Sequence, residues 1–179
     1  EAFDKALTAQ EACFFKMETE GKKLLKDLEN NPEKIAVVVF GRSYNAFAGE
    51  ANMGIPHKFA TRGLTVVPFD CLPFEGMESR EHMYWGMGQR ILKAARLVER
   101  HPNLFGVYIT NFSCGPDSFI ITYFRDIMGK KPSLTLELDS HTADAGIETR
   151  IEAFLDIVAA YRRQHAFVSA AQSSNSFRP

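Results

Sequence analysis

The sequence predicts a doubly wound α/β domain, and three observations carry that expectation. Short β-branched runs too brief for helices recur at Ile35–Phe40, Leu64–Phe69, Phe105–Phe112 and Ser133–Leu138. Longer stretches of helical apolar spacing separate them, and glycines or prolines punctuate the joints. A strand pitch of about 30 to 40 residues is what right-handed βαβ crossovers require. The fold is therefore a mostly parallel, flavodoxin-like sheet of four strands in the order 2-1-3-4, with helices on both faces.

Each element has its own warrant. From Ala2 to Leu28, Phe3, Leu7, Phe14, Phe15, Met17, Leu24, Leu25 and Leu28 recur at roughly helical spacing, interrupted by Gly21; this reads as one long helix or two short ones. Asn30-Asn31-Pro32 stops it. Ile35–Phe40 is apolar on both faces, as a central parallel strand must be. Gly41–Asn45 follows as a loop, and a helix is expected from about Glu50 to Thr61, ended by Gly63 as a left-handed cap. Beyond the second strand, Ile91, Leu92, Ala95 and Val98 mark an apolar stripe on a helix spanning Arg80 to Arg100. Gly115-Pro116-Asp117 opens the next helix, because proline fits a first turn and aspartate suits its positive end. That helix stops at Gly129, and a last one is expected over Thr149–Arg163.

Residues 1–30 thus form a leading helical segment and 31–165 the α/β domain. Residues 166–179, rich in Ser, Ala, Asn and Gln, are expected to be a disordered tail. The first residue is Glu and an amphipathic stretch begins at once, so the chain reads as a segment of a longer polypeptide.

Composition narrows the function. Lysine and arginine number 21 against 22 acidic residues, so no global field draws the chain to nucleic acid or an anionic membrane. No apolar run approaches the ~20 residues of a membrane span. Three cysteines without a C-x-x-C pair suit a reducing compartment, and the expected location is cytoplasmic.

Chemistry is expected at the carboxyl rim of the sheet, where open α/β folds bind ligands. Cys71 and Cys114 close the second and third strand runs. Cys114 precedes a helix N-terminus, which favours the thiolate that ligates metal. A cysteine is as readily a small buried apolar residue. Two thiolates do not complete a metal site, which wants about four ligands; Cys13, on the leading helix, is more simply structural. The loop of Gly41, Arg42, Ser43, Tyr44 and Asn45 faces the same rim, and Arg42 can grip a phosphate or carboxylate or simply face solvent. It carries neither a P-loop nor a G-x-G-x-x-G pattern. Asp139, His141 and Asp144 form a polar cluster that can bind a divalent ion or cap the last helix. Met83, Tyr84, Trp85 and Met87 offer an aromatic-thioether surface for stacking, core packing or a partner.

Gly41–Asn45 with Ile55-Pro56, Val67–Pro73, Tyr84-Trp85, Asn111–Phe119 and Asp139–Phe154 together resemble the large proteins related to activators of 2-hydroxyacyl-CoA dehydratases. The resemblance covers about residues 30 to 160. In those polypeptides an ATP-hydrolysing activase module is fused to regions similar to cluster-bearing dehydratase subunits, and this chain resembles the latter. The resemblance implies a 4Fe-4S type cluster held by cysteines, with Cys71 and Cys114 as ligands, and low-potential electron transfer coupled to ATP hydrolysis elsewhere. Its implied partners are the other domains of the polypeptide, including the activase ATPase module, and an acyl-CoA dehydratase. The chain has no actin-like phosphate loops, so the segment is expected to be non-catalytic or partly catalytic. Gly41, Arg42, Tyr44 and Asn45 would shape the neighbouring pocket. Two other readings are a CoA or phospho-ligand binding module and an interaction scaffold, both without a redox centre.

Overall fold

The run Ala36-Val-Val-Val-Phe40 is buried at every position, which only a strand covered on both faces allows. In the computed structural model, which describes residues 1–111 and 115–175, it forms the strand β1 (Ala36–Phe40) inside an all-parallel sheet. β2 (Thr65–Pro68), β3 (Leu104–Asn111) and β4 (Ser133–Leu138) complete it in the order β2-β1-β3-β4. The predicted topology is the observed one.

Alternation along β1 divides the core in two. Ala36, Val38 and Phe40 face one layer with Tyr108, Ile91, Leu92 and Phe124, whereas Val37 and Val39 face the other with Phe59, Phe105, Ile151 and Phe154. The first layer is covered by α4 (Gly86–Arg100) and α5 (Pro116–Met128), the second by α3 (Ile55–Ala60) and α6 (Asp144–Asn175). Residues Tyr108 and Thr110 share the α5 side of β3, which places two polar side chains under the start of that helix.

Several boundaries move for local reasons. The segment predicted as a loop contains a single turn, α2 (Ser43–Ala46), closed by the Asn45 and Ala46 N–H groups donating to the Arg42 carbonyl at 2.8 Å each. The helix expected from Glu50 starts only at Ile55. Asn52 forestalls it, donating from Nδ2 to the Ala46 carbonyl and accepting from the Gly54 N–H, both at 2.9 Å, an alternative to helix that asparagine favours. The helix expected from Arg80 starts at Gly86, because the Gln89 amide bonds both the N–H and the carbonyl of Arg80 and holds that segment as a loop. α6 begins earlier than Thr149, and its backbone stays helical past Ala166 to Asn175.

The last carbonyls of α4 find an unexpected donor. Lys131 is buried, and its ammonium donates to the carbonyls of Val98 at 2.5 Å, Glu99 at 3.2 Å and His101. A cation there also suits the negative end of the helix. Burial pulls its pKa down to about 8.

β2 ends at Pro68, two residues short of the predicted Asp70-Cys71 rim. Phe69–Cys71 is instead a 3-10 turn, and the Phe69 ring stacks 5.7 Å from that of Phe40. α1 (Ala2–Asn30) is one continuous helix that lies against this turn. Gly21 makes the approach possible: a Cβ there would sit 1.8 Å from the Cys71 carbonyl oxygen. The glycine that looks like a break is the closest point of contact.

Gly21→Ala should therefore destabilise the chain by about 1–3 kcal/mol despite alanine's better helix propensity, since backbone must shift. Gly86→Ala, with open space around the added methyl, should lie within about 0.5 kcal/mol of the parent or above it. Urea midpoints at equal slope measure both.

Candidate functional site

The order in which the chain adds strands reverses between β1 and β3, and crevices at such switch points, outside the carboxyl ends of the strands, are the ligand sites of open α/β folds. β1 leaves the sheet through Gly41, whose φ of +143° and whose missing side chain let the loop run against β3. A Cβ would lie 2.4 Å from the Ile109 carbonyl oxygen. Arg42 is thereby aimed inward rather than at solvent.

Its Nη2 donates to Asp117 Oδ2 at 3.1 Å, joining a side chain 14% exposed to one that is fully buried. Asp117 lies in the first turn of α5, where the helix dipole stabilises an anion. The Tyr108 hydroxyl donates to its Oδ1 at 3.2 Å and the Thr110 hydroxyl to its Oδ2 at 2.5 Å. Burial, then the Asp117 charge, pushes the Tyr108 phenol far above its ordinary range, so it serves as a fixed donor and not as a base. Arg42 also donates to the Tyr44 hydroxyl, with its guanidinium carbon 4.9 Å from the centre of that ring. Tyr44 stands 61% exposed, and Asn45, next in the chain, is buried. The guanidinium expected to hold a phosphate is thus engaged with Asp117 and Tyr44, and the anionic place at the helix start is taken by the chain's own carboxylate. Thr110, Tyr108 and Asp117 were not singled out as site residues in sequence; a tyrosine and a threonine two apart in an otherwise apolar strand were the available signal.

The expected sharing of a metal by Cys71 and Cys114 rests on a residue, Cys114, that lies outside the described residues. Cys71 is half-buried in the 3-10 turn. Burial, the Asp70 charge and Cys13 together push its thiol up to about 11. Asp70 is itself held above its ordinary value by burial, against the pull of Arg90. This environment favours the thiol and disfavours the thiolate that a metal or cluster would need. Among the described residues, no group of three or more His, Cys, Asp or Glu side chains is placed to hold a metal ion.

Asp139, His141 and Asp144 serve local structure. The Asp139 carboxylate accepts the His141 N–H at 2.8 Å and the Thr142 hydroxyl at 3.0 Å, and those bonds hold it below its ordinary value. Asp144 opens α6 and pairs with Lys58 of α3 at 2.8 Å. The cluster staples a loop and joins two helices.

The aromatic surface is more developed than the sequence suggested. Met83, Tyr84 and Trp85, leading into α4, meet Pro116, Phe119 and Tyr123 of α5 around a groove of about 340 Å³. Both helices begin at the carboxyl rim, so the groove opens beside the switch point. Tyr84 is 91% exposed and Phe119 65% exposed. Arg80 covers the Tyr123 ring at 3.9 Å. Met87 packs against the core, as Met83 and Trp85 also do in part, and does not line the groove. A larger groove of about 500 Å³, between the α2–α3 segment and β2, has nearly all-apolar walls, and the Asn52 amide in it is consumed by backbone bonds.

Two measurements check this geometry. Arg42→Ala or Asp117→Ala should each cost about 3–5 kcal/mol, because the partner is left buried and charged, while the Arg42→Met/Asp117→Leu pair should cost much less than the sum in denaturant titrations. Alkylation near pH 8 followed by peptide mass mapping should modify Cys71 on the order of a hundredfold more slowly than an ordinary free thiol, following its thiolate fraction.

Residues 1–72, from α1 through the 3-10 turn, match a family described as CoA enzyme activase uncharacterised domain. No curated protein and no solved structure matches the chain. Among the described residues, no helix is long and apolar enough to cross a membrane. The leading part of the chain is thus similar to a domain of CoA enzyme activases, which supports an activase-related role.

Proposed function

We propose that this chain is a docking domain of a CoA enzyme activase-related protein, and that the aromatic groove at its carboxyl rim receives a protein partner. The observation that carries the reading is the pair Tyr84 and Phe119, two large aromatics left in solvent on either side of one groove with Trp85, Met83 and Tyr123 behind them. Tyrosine, tryptophan, methionine and arginine are the residues over-represented where proteins meet. An activase acts on a CoA enzyme, so the partner is that enzyme or a companion domain that reaches it. Arg42 and Asp117 tie the β1 loop to the start of α5, which fixes one wall of the groove before any partner arrives; such preorganisation lowers the cost of binding.

A protein is favoured over CoA itself by the charge at the rim. Of the cations beside the groove, the Arg42 guanidinium is already balanced by a buried carboxylate and Arg80 lies over the Tyr123 ring.

A photo-crosslinking residue at position 84 or 119, in cells, should join the chain to a CoA enzyme or to an activase domain. With the captured protein purified, Tyr84→Ala or Phe119→Ala should weaken binding tenfold or more, on the order expected for a central aromatic anchor. Capture of neither class, or calorimetric CoA binding that these substitutions abolish, would defeat the proposal.

A further inference from the structure

α1 is buried for only half its length. Gly21 and Leu28 are buried and Leu24 is half-buried against the domain, but every residue from Glu1 to Lys16 is exposed. The exposed half is not a polar helix. Phe3, Leu7, Gln10, Phe14, Met17, Gly21, Leu24 and Leu28 follow one another at alternating steps of four and three residues. That is the heptad seam of a coiled coil, and it places all eight on one face. The face that packs on the domain at Gly21, Leu24 and Leu28 therefore continues without a break into Phe14, Leu7 and Phe3, which are 44%, 42% and 76% exposed. At the junction Arg90 of α4 lies 5.5 Å over the Phe14 ring. Beyond it nothing among the described residues covers the seam.

The charges beside the seam select the occupant. On one flank stand Asp4, Glu11 and Glu18, and on the other Ala6, Cys13 and Glu20; the lysines of this half, Lys5 and Lys16, lie on the opposite side of the helix. Glu11 makes no ion pair among the described residues. A second copy of α1 would bring acids against acids when antiparallel and against small neutral residues when parallel, so self-pairing gains nothing from its flanks. A helix with lysine or arginine beside its apolar seam would instead meet opposite charge along the flank of Asp4, Glu11 and Glu18.

We infer that the exposed half of α1 is a coiled-coil docking face for a basic-flanked amphipathic helix, which extends the seam that α1 already uses to pack on its own domain. Gln10 supplies a polar seam position, the type of residue that fixes register at some cost in stability. The face stands apart from the rim groove, and neither depends on the other.

Fluorescence anisotropy of the full chain with a synthetic helix of about three heptads, leucine at the seam and lysine at both flanks, tests it against a twin carrying glutamate at the flanks. The lysine peptide should bind about tenfold or more tighter than its twin, and the gap should narrow as salt rises. Phe3→Ser/Leu7→Ser should weaken binding at least about fivefold with an unchanged urea midpoint, since both side chains lie outside the core. Asp4→Lys/Glu11→Lys should turn the preference toward the glutamate peptide. Equal binding of the two peptides, no saturable binding, or dimerisation of the chain through Leu7 in sedimentation equilibrium would each overturn the assignment.

Discussion

The rim of this domain depends on one buried carboxylate. Asp117 sits under the first turn of α5 with no access to water, and a lone ionised carboxylate there would be too costly to keep. Three neighbours remove that cost: the Arg42 guanidinium, the Tyr108 phenol and the Thr110 hydroxyl. Each comes from an element that the sheet topology has already placed, two from β3 and one from the β1 loop. Since no member can move without stranding a buried charge, the loop after β1 and the helix after β3 are fixed to one another across the switch point. The crevice that serves ligands in other open α/β sheets is here a structural joint.

That joint explains which parts of the molecule could be read from sequence. Strand identity and order follow from apolar runs and their pitch, signals written in contiguous residues, so the β2-β1-β3-β4 sheet was legible. The helix starts were not, because side chains of Asn52 and Gln89 compete for backbone groups in ways no periodicity records. The site was legible only in outline. Arg42 stands out in its loop, but its partner lies 75 positions away and looks in sequence like an ordinary first-turn aspartate. Met83, Tyr84 and Trp85 form a visible cluster, whereas Phe119 and Tyr123 join it only because α4 and α5 pack side by side.

The cysteines show the same limit more sharply. A thiol at a strand end looks reactive, yet one extra turn after Pro68 carries Cys71 off the strand and beneath α1. There its carbonyl meets the bare backbone of Gly21, and its sulfur shares the neighbourhood with Asp70 and Cys13. Low polarity and nearby negative charge act in the same direction, toward the protonated sulfur. Residue type suggested a ligand, and this environment favours the thiol form of Cys71.

Among the described residues, apolar surface faces solvent both at the rim groove and along α1, and the two differ in kind. At the rim the apolar surface is concave, aromatic and braced by an ion pair, so it can accept a convex side chain without rearranging. Along α1 it is a single convex stripe, which buries area only if another helix lies parallel to it. A small molecule could fill the first but not the second. The proposed contacts, a preformed groove and a seam edged with acids on one flank, would let other polypeptides hold the domain at two points, and α1 lies within residues 1–72, the stretch similar to the CoA enzyme activase domain.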